Sequence, residues 1–542
     1  MTGVPPPQAI PSDHHQEAAP APPNPFAPAP RSSRRLHFGR AAVIGLGAGL
    51  IAVAFRRALA ASESARADLL LVLHQYPWWG WSVLPLIALL LGCAVGWATL
   101  RFAPEAAGSG IPHLKGVLLH VRTLSWRRLI PMKFLGGVAG IGAGLSLGRE
   151  GPTVQMGAAV ARALARPLRA PATDIPQLLS AGAGAGLAAA FNAPLAGLIF
   201  VIEELHRELS SRTATGALVA AVCATVITQW LAGNTPSFVV HGLTALPLWG
   251  LPLAALIGVL GGGAGVLFNQ SLLHAQHRAK TQKAVPRWTL PGLAGVVVGL
   301  AAWWLPDAAG GGQGVAERVL AGSAGLGIGM LAALLAVKFI LTILSYASGA
   351  PGGIFAPMLT MGALIGALAA ALIANSAAYL PPALAAQGQA LAVLGMAAIF
   401  VGSVRAPLTG IVLISEMTDG YTLLFPICIA ALAAYLTAEA LRDAPIYDAL
   451  LEADLERTGH GPAQAEPRTV YVGVQNGSRL AGRAISEAGL PRGCLIVAIE
   501  RSGKTLLPTA GTVLTPGDHV SIMAPGDAPE APLEIVRLCT GM

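Results

Sequence analysis

The chain has 542 residues, 54% of them hydrophobic and only 11% charged, where a soluble domain carries roughly a quarter charged residues. That balance excludes an ordinary soluble enzyme. The net charge of +8 comes with no basic run interleaved with aromatics, which argues against a nucleic-acid binder; surplus Lys and Arg fit the cytoplasmic loops of a membrane protein.

Residues 1–38 are rich in Pro and Ala, lack apolar periodicity, and read as a disordered cytoplasmic tail. Arg31, Arg34, Arg35 and Arg40 precede a first apolar segment at 41–55. Segment 77–100 opens with Trp78, Trp79 and Trp81, an interfacial belt ahead of a long apolar run. No Asp, Glu, Lys or Arg occurs between Arg212 and Arg278, nor between Lys338 and Arg405. Both stretches exceed the ~20 apolar residues that cross a bilayer, so the chain is polytopic. Its 65 glycines suit close helix packing in lipid. The five cysteines are scattered, and no spacing marks a disulfide framework or metal site.

Three glycine- and proline-rich stretches interrupt the apolar regions. Gly108-Ser109-Gly110-Ile111-Pro112 exposes backbone N–H groups and a hydroxyl, or is an ordinary turn with a serine cap. Gly148-Arg149-Glu150-Gly151-Pro152 sets a carboxylate just ahead of a helix N-terminus, since proline suits the first helical turn. Such an end attracts anions, and ionisable groups at membrane depth are functional candidates. Gly349 to Pro357 holds three glycines and two prolines ahead of an apolar helix at about 354–375, with segments 384–400, 406–417 and 421–438 beyond it. Irregular backbone in lipid must line a cavity or be buried in protein.

An internal repeat links these stretches. Ala193-Pro194-Leu195-Ala196-Gly197 reaches Glu203 with the spacing by which Ala406-Pro407-Leu408-Thr409-Gly410 reaches Glu416. Gly151-Pro152 with Met156-Gly157 is echoed by Ala356-Pro357 with Met361-Gly362, which sets Glu150 opposite Phe355. Two similar halves point to a transporter built from repeats. Glu203-Glu204 closes an apolar helix. Neighbouring helical residues point about 100° apart, so at most one of the pair faces inward; the other fits a solvated helix end.

Beyond Leu441 the composition turns soluble. A Gly/Pro/Glu linker over 457–467 leads to an α+β module at 468–542. Strands are expected at Val470–Val474, Cys494–Ile499 and Val520–Met523, a short helix at Leu480–Ala488, and turns at Ser502–Lys504 and Thr515–Asp518.

Together these motifs, in order over about residues 40–456, resemble the CLC family of chloride channels and chloride/proton antiporters. The resemblance implies an all-α polytopic membrane domain over 39–456, with two inverted repeats of tilted and broken helices. It implies a homodimer in the lipid bilayer with one anion pathway per subunit. The expected location is a bacterial plasma (inner) membrane, multi-pass, with both termini cytoplasmic. The anion-binding roles fall on Ser109, Ile354, Phe355 and Tyr447, with Gly108, Gly110, Arg149 and Gly353 at the same site. The family's gating glutamate falls on Glu150 and its proton-transfer glutamate on Glu204. Both acids together favour chloride/proton antiport, with a passive channel as the alternative. No cofactor is expected. Family members often carry Glu where His113 stands, and Lys115 follows; both add potential positive charge near one end of the pathway. Residues Ala481–Pro525 resemble the RCK C-terminal (TrkA C-terminal) domain, which implies a regulatory module with a small-molecule ligand.

Overall fold

The computed structural model describes residues 31–457 and 468–541, except 120, 208, 209, 236, 239, 241, 242, 244, 323–325, 376–386, 502–503 and 526–529. The expected tail up to residue 30, the linker at 458–467 and the Ser502–Gly503 turn lie outside the described residues. The expected disorder at 31–38 is corrected: helix α1 runs Arg31–Leu73, because the basic residues form its first turns and continue into the apolar run.

The first half continues with α2 (Gly80–Phe102), α3 (Ile111–Leu118), α4 (Trp126–Gly142), α5 (Glu150–Ala165), α6 (Ile175–Phe191), α7 (Pro194–Phe200) and α8 (Ser211–Ala232). The second half holds α9 (Leu251–Thr281), α10 (Leu290–Trp304), α11 (Gln313–Leu320), α12 (Ile328–Ala347) and α13 (Phe355–Asn375), then α14 (Gly388–Val404), α15 (Pro407–Thr418) and α16 (Leu424–Ala440). Helix α17 (Ile446–Arg457) closes the membrane domain. Seven helices among the described residues are long and apolar enough to cross a membrane. Several others, α3, α7 and α11 among them, are far too short to span one.

The sequence repeat is a structural one. Gly148 N–H donates to Gly353 O at 2.7 Å and Gly353 N–H to Gly148 O at 2.8 Å, an antiparallel pair between equivalent residues. A two-fold relation between the halves therefore passes between these two segments. The Glu203 carboxylate accepts from Leu408 N at 3.0 Å and Thr409 N at 2.6 Å, at the start of α15. The Glu416 carboxylate accepts from Leu195 N at 3.1 Å and Ala196 N at 2.7 Å, at the start of α7. Each half thus caps a helix of the other with the same acid, answering the free N–H groups and positive end of that helix. Glu203 is accordingly no plain solvated helix end.

Close helix approach repeats in the same way. A Cβ on Gly157 of α5 would stand 2.1 Å from Gly182 O of α6, and one on Gly362 of α13 would stand 2.4 Å from Gly395 O of α14. Only glycine admits either crossing, as small residues do generally between membrane helices.

The C-terminal module is a four-stranded antiparallel sheet in the order β1-β4-β2-β3, from β1 (Arg468–Gly473), β2 (Leu495–Arg501), β3 (Lys504–Leu506) and β4 (His519–Ala524). Helix α18 (Ala531–Thr540) covers one face through Ala531, Ile535 and Cys539, which pack on Val470, Ile499, Val520 and Ile522. The three expected strands are present; β3 and α18 are additions. The helix expected at Leu480–Ala488 is corrected to turns and one 3-10 turn, Ile485–Glu487. Backbone bonds from Gly482 and Ile485 to the 512–514 segment draw this stretch away from helical pairing. The module packs against Leu119 at the end of α3, and Arg537 pairs with Glu452 of α17.

Candidate ion-transport site

Three irregular segments meet inside the helical domain. The loop before α3 bonds the loop before α13 through Gly108 N–H to Ala350 O at 3.2 Å and Gly352 N–H to Gly108 O at 3.0 Å. The loop before α5 meets the same segment through the Gly148–Gly353 pair. Glycines are required here. A Cβ on Gly151 would lie 2.5 Å from Ser109 Oγ, and one on Gly353 would lie 3.0 Å from Gly151 N. Ser109, Gly151, Gly353, Ile354 and Phe355 are thereby brought to one place.

Glu150 is the first residue of α5 rather than a residue ahead of it, and Pro152 follows two positions later within the helix. The expected position is corrected by one step, because Arg149 already takes the cap position. The Glu150 side chain is fully buried. Its Oε2 accepts from the backbone N–H of Ala356 at 3.4 Å, in the first turn of α13, while Oε1 has no hydrogen-bond partner. The carboxylate therefore rests on the N-terminal end of the opposite half's helix. It sits where an anion would be favoured by unpaired N–H groups and partial positive charge.

Ser109 and Tyr447 complete the group. Both are buried, and among the described residues their hydroxyls find no partner but each other. Tyr447 is brought in on α17 and faces Ser109. Buried hydroxyls are rarely left unpaired, since each costs free energy without a bond. These two hydroxyls and the unpartnered Oε1 of Glu150 thus lie in one buried region. Ser109 N–H also points at Tyr346 Oη of α12, 3.5 Å away. Gly108 and Gly110 supply left-handed turns at φ of 63° and 86°. Phe355 packs its ring on Phe400 at 4.7 Å and Phe191 at 6.1 Å, leaving only its backbone for the site. Arg149 differs from its expected role in direction: its guanidinium donates to Ala190 O at 3.5 Å at the end of α6.

Glu204 lies in a π-helical turn, Val201–His206. Its neighbour Glu203 is committed to capping α15, so only Glu204 turns to the interior, where it is 2% exposed. The wider π turn is a common device at functional sites. Glu204 Oε1 accepts from Lys115 Nζ at 2.8 Å, and Lys115 also donates to Asp448 Oδ1, which in turn is joined to Arg207. Lys115 therefore does not lie free along the pathway. His113 stands 3.8 Å from Glu105 and 3.4 Å from Gln155 Nε2.

Sequence reasoning passed over Lys133 and Lys338. Each is buried, and each donates to two carbonyls of the loop before a short helix: Lys133 to Ala106 at 2.9 Å and Gly108 at 2.6 Å, Lys338 to Ala308 at 3.2 Å and Gly310. The signal was present, since both are isolated lysines in apolar segments at equivalent places in the repeat. Asp448 and Tyr346 carried no comparable signal, being one residue among many of their type.

A membrane domain of two repeated halves, with broken helices converging on buried polar groups at their interface, defines a secondary-transporter-like ion pathway. The family model for the voltage gated chloride channel matches residues 91–439, and the TrkA-C domain model matches residues 470–530. The H(+)/Cl(-) exchange transporter ClcA of Cronobacter sakazakii is 40% identical over 441 residues, covering 79% of this chain and 92% of its own length. That of Yersinia pestis is 38% identical, covering 77% and 87%. The chain therefore belongs to the CLC (voltage gated chloride channel) family, with a TrkA-C domain at its C-terminus. A crystal structure of a slow cyanobacterial Cl-/H+ antiporter superposes with a TM-score of 0.72 at 32% identity, covering 78% of this chain and 99% of that one. A CLC-type fluoride/proton antiporter, at 24% identity and a TM-score of 0.62, shares the fold.

Proposed function

We propose that this protein exchanges chloride for protons across a bacterial inner membrane, as a homodimer with one pathway per subunit and both termini in the cytoplasm. One observation carries the reading. The Glu150 carboxylate occupies the N-terminal end of α13, near the buried hydroxyls of Ser109 and Tyr447. A carboxylate and a chloride ion compete for such a locus, because each is one negative charge answered by the same N–H groups and hydroxyls. Ser109, Tyr447 and the backbone of Gly353, Ile354 and Phe355 hold the anion, flanked by the turns at Gly108 and Gly110. Arrival of chloride and a proton displaces Glu150. The proton then passes between Glu150 and the cytoplasmic side through Glu204, along water.

The names of the relatives above support exchange over passive conduction, as does the presence of both acids. The transport domain occupies 39–456 and the module 468–542 senses a small molecule. Purified protein in liposomes, given a chloride gradient and a pH dye, tests the reading. Chloride flow that drives protons against their gradient supports exchange. A current that reverses at the chloride equilibrium potential at every pH gradient makes the protein a channel.

A further inference from the structure

We propose that Lys115 is a positioning residue for Glu204: its ammonium fixes the inner carboxylate in place and ties proton exchange there to the two elements that carry the anion-site hydroxyls. The inference rests on the reading of Glu204 as the proton carrier.

The geometry is a chain of alternating charge. Glu204 bonds Lys115 at 2.8 Å, Lys115 bonds Asp448, and Asp448 bonds Arg207. Lys115 and Glu204 are almost fully buried, while Asp448 and Arg207 are partly exposed. Two acids and two bases leave the cluster neutral, which is how buried charges avoid a large desolvation penalty. Other polar groups near this turn are engaged elsewhere: His206 bonds Ser180 of α6 at 2.7 Å, and Arg212 of α8 bonds Asp174 at 2.9 Å. Tyr447 of α17 and Tyr435 of α16 are further titratable groups close to the cluster.

The cluster's placement gives it consequence. Lys115 stands on α3, the short helix that Ser109 precedes, and Asp448 follows Tyr447 on α17. When Glu204 takes a proton from the cytoplasmic water, its bond to Lys115 loses its ionic part. Lys115 then remains with Asp448 alone, and the cluster carries one net positive charge. Asp448 and Glu204 share one ammonium, so removing either partner changes how firmly the other is held.

The test uses full-length protein in liposomes, with proton flux read relative to chloride flux in the same vesicles across a series of internal pH values. An opposite charge in contact favours the ionised carboxylate by roughly one to three pH units. Lys115→Met therefore moves the midpoint of proton flux to higher internal pH by about one unit or more, a tenfold change in proton concentration. Lys115→Arg keeps the midpoint near that of the wild type. Asp448→Asn releases Lys115 to Glu204 alone and moves the midpoint the other way. An unchanged midpoint in Lys115→Met, or equal shifts in the Met and Arg variants, overturns the inference. Glu204→Gln separates the two readings. If it retains proton transport, Glu204 is not the carrier. If it stops proton transport while Lys115→Met leaves the midpoint in place, only the role of Lys115 falls.

Discussion

The first turns of α5 and α13 are equivalent in the repeat and opposite in chemistry. Glu150 opens one and Phe355 the other. Around them the halves agree closely: Gly148 pairs with Gly353, Glu203 and Glu416 cap each other's helices, and Lys133 and Lys338 fix matching loops. What is shared between the halves builds the scaffold. In the proposed mechanism what differs does the transport: the half with the acid supplies a negative charge that moves, and the half with the aromatic supplies the helix end that receives it.

The sharpest way to break this comparison is to remove the acid. Glu150→Ala is expected to abolish proton coupling while chloride still flows, measured as loss of chloride-driven proton uptake in liposomes. Phe355→Leu is the matching change in the other half. It keeps the backbone N–H groups and most of the buried volume, so coupling survives. Proton coupling in Glu150→Ala, or its loss in Phe355→Leu, contradicts the division of roles.

The next effect concerns the shared part. Glu203→Gln and Glu416→Gln each weaken a charged acceptor for two backbone N–H groups. Hydrogen bonds to charged groups contribute about 1.5–3 kcal/mol, and lost helix caps about 1 kcal/mol. Both variants are thus expected to lower thermal stability in detergent by a similar amount, of the order of 1–3 kcal/mol. A large loss for one and none for the other would mean that the halves carry unequal load.

Much of this was legible in the sequence, for physical reasons. Long charge-free runs announce spans because lipid excludes charge. Gly/Pro-rich stretches announce broken helices because those residues cannot hold regular backbone. The repeat of Ala-Pro-Leu with Glu203 and Glu416 showed that the acids are equivalent, but not that they cross over. Spacing along a chain does not specify which helix end lies within reach. Nor could adjacency decide between Glu203 and Glu204, since that depends on a π turn. The pairing of Lys115 with Glu204 and Asp448 joins three elements far apart in sequence, and no local pattern announces it. In the module, β3 is three residues long and fell below any alternation signal.

The module offers the smallest effect and a contrast in how a carboxylate caps. In the membrane halves the acid reaches across to a distant helix. Asp518 instead closes its own turn, accepting from Thr515 N at 2.7 Å, and binds Arg501 through Nε and Nη2, each at 2.7 Å. Burial alone would raise its pKa, but the bonds from Arg501 and Thr515 outweigh burial and hold it below the ordinary aspartate value. A carboxyl depressed on folding contributes stability above its unfolded pKa of about 3.9, and that contribution is lost as pH falls through the folded value. The module is therefore expected to loosen only in strong acid. Asp518→Asn should be looser already at neutral pH, and less sensitive to further acidification. Limited proteolysis of the full-length protein, read as cleavage within 468–541 over a pH series, measures both. Equal protection of variant and wild type at neutral pH would show that β4 and α18 hold the turn without the acid. In that event the carboxylate cap matters only where, as for Glu203 and Glu416, it joins elements that the chain itself does not bring together.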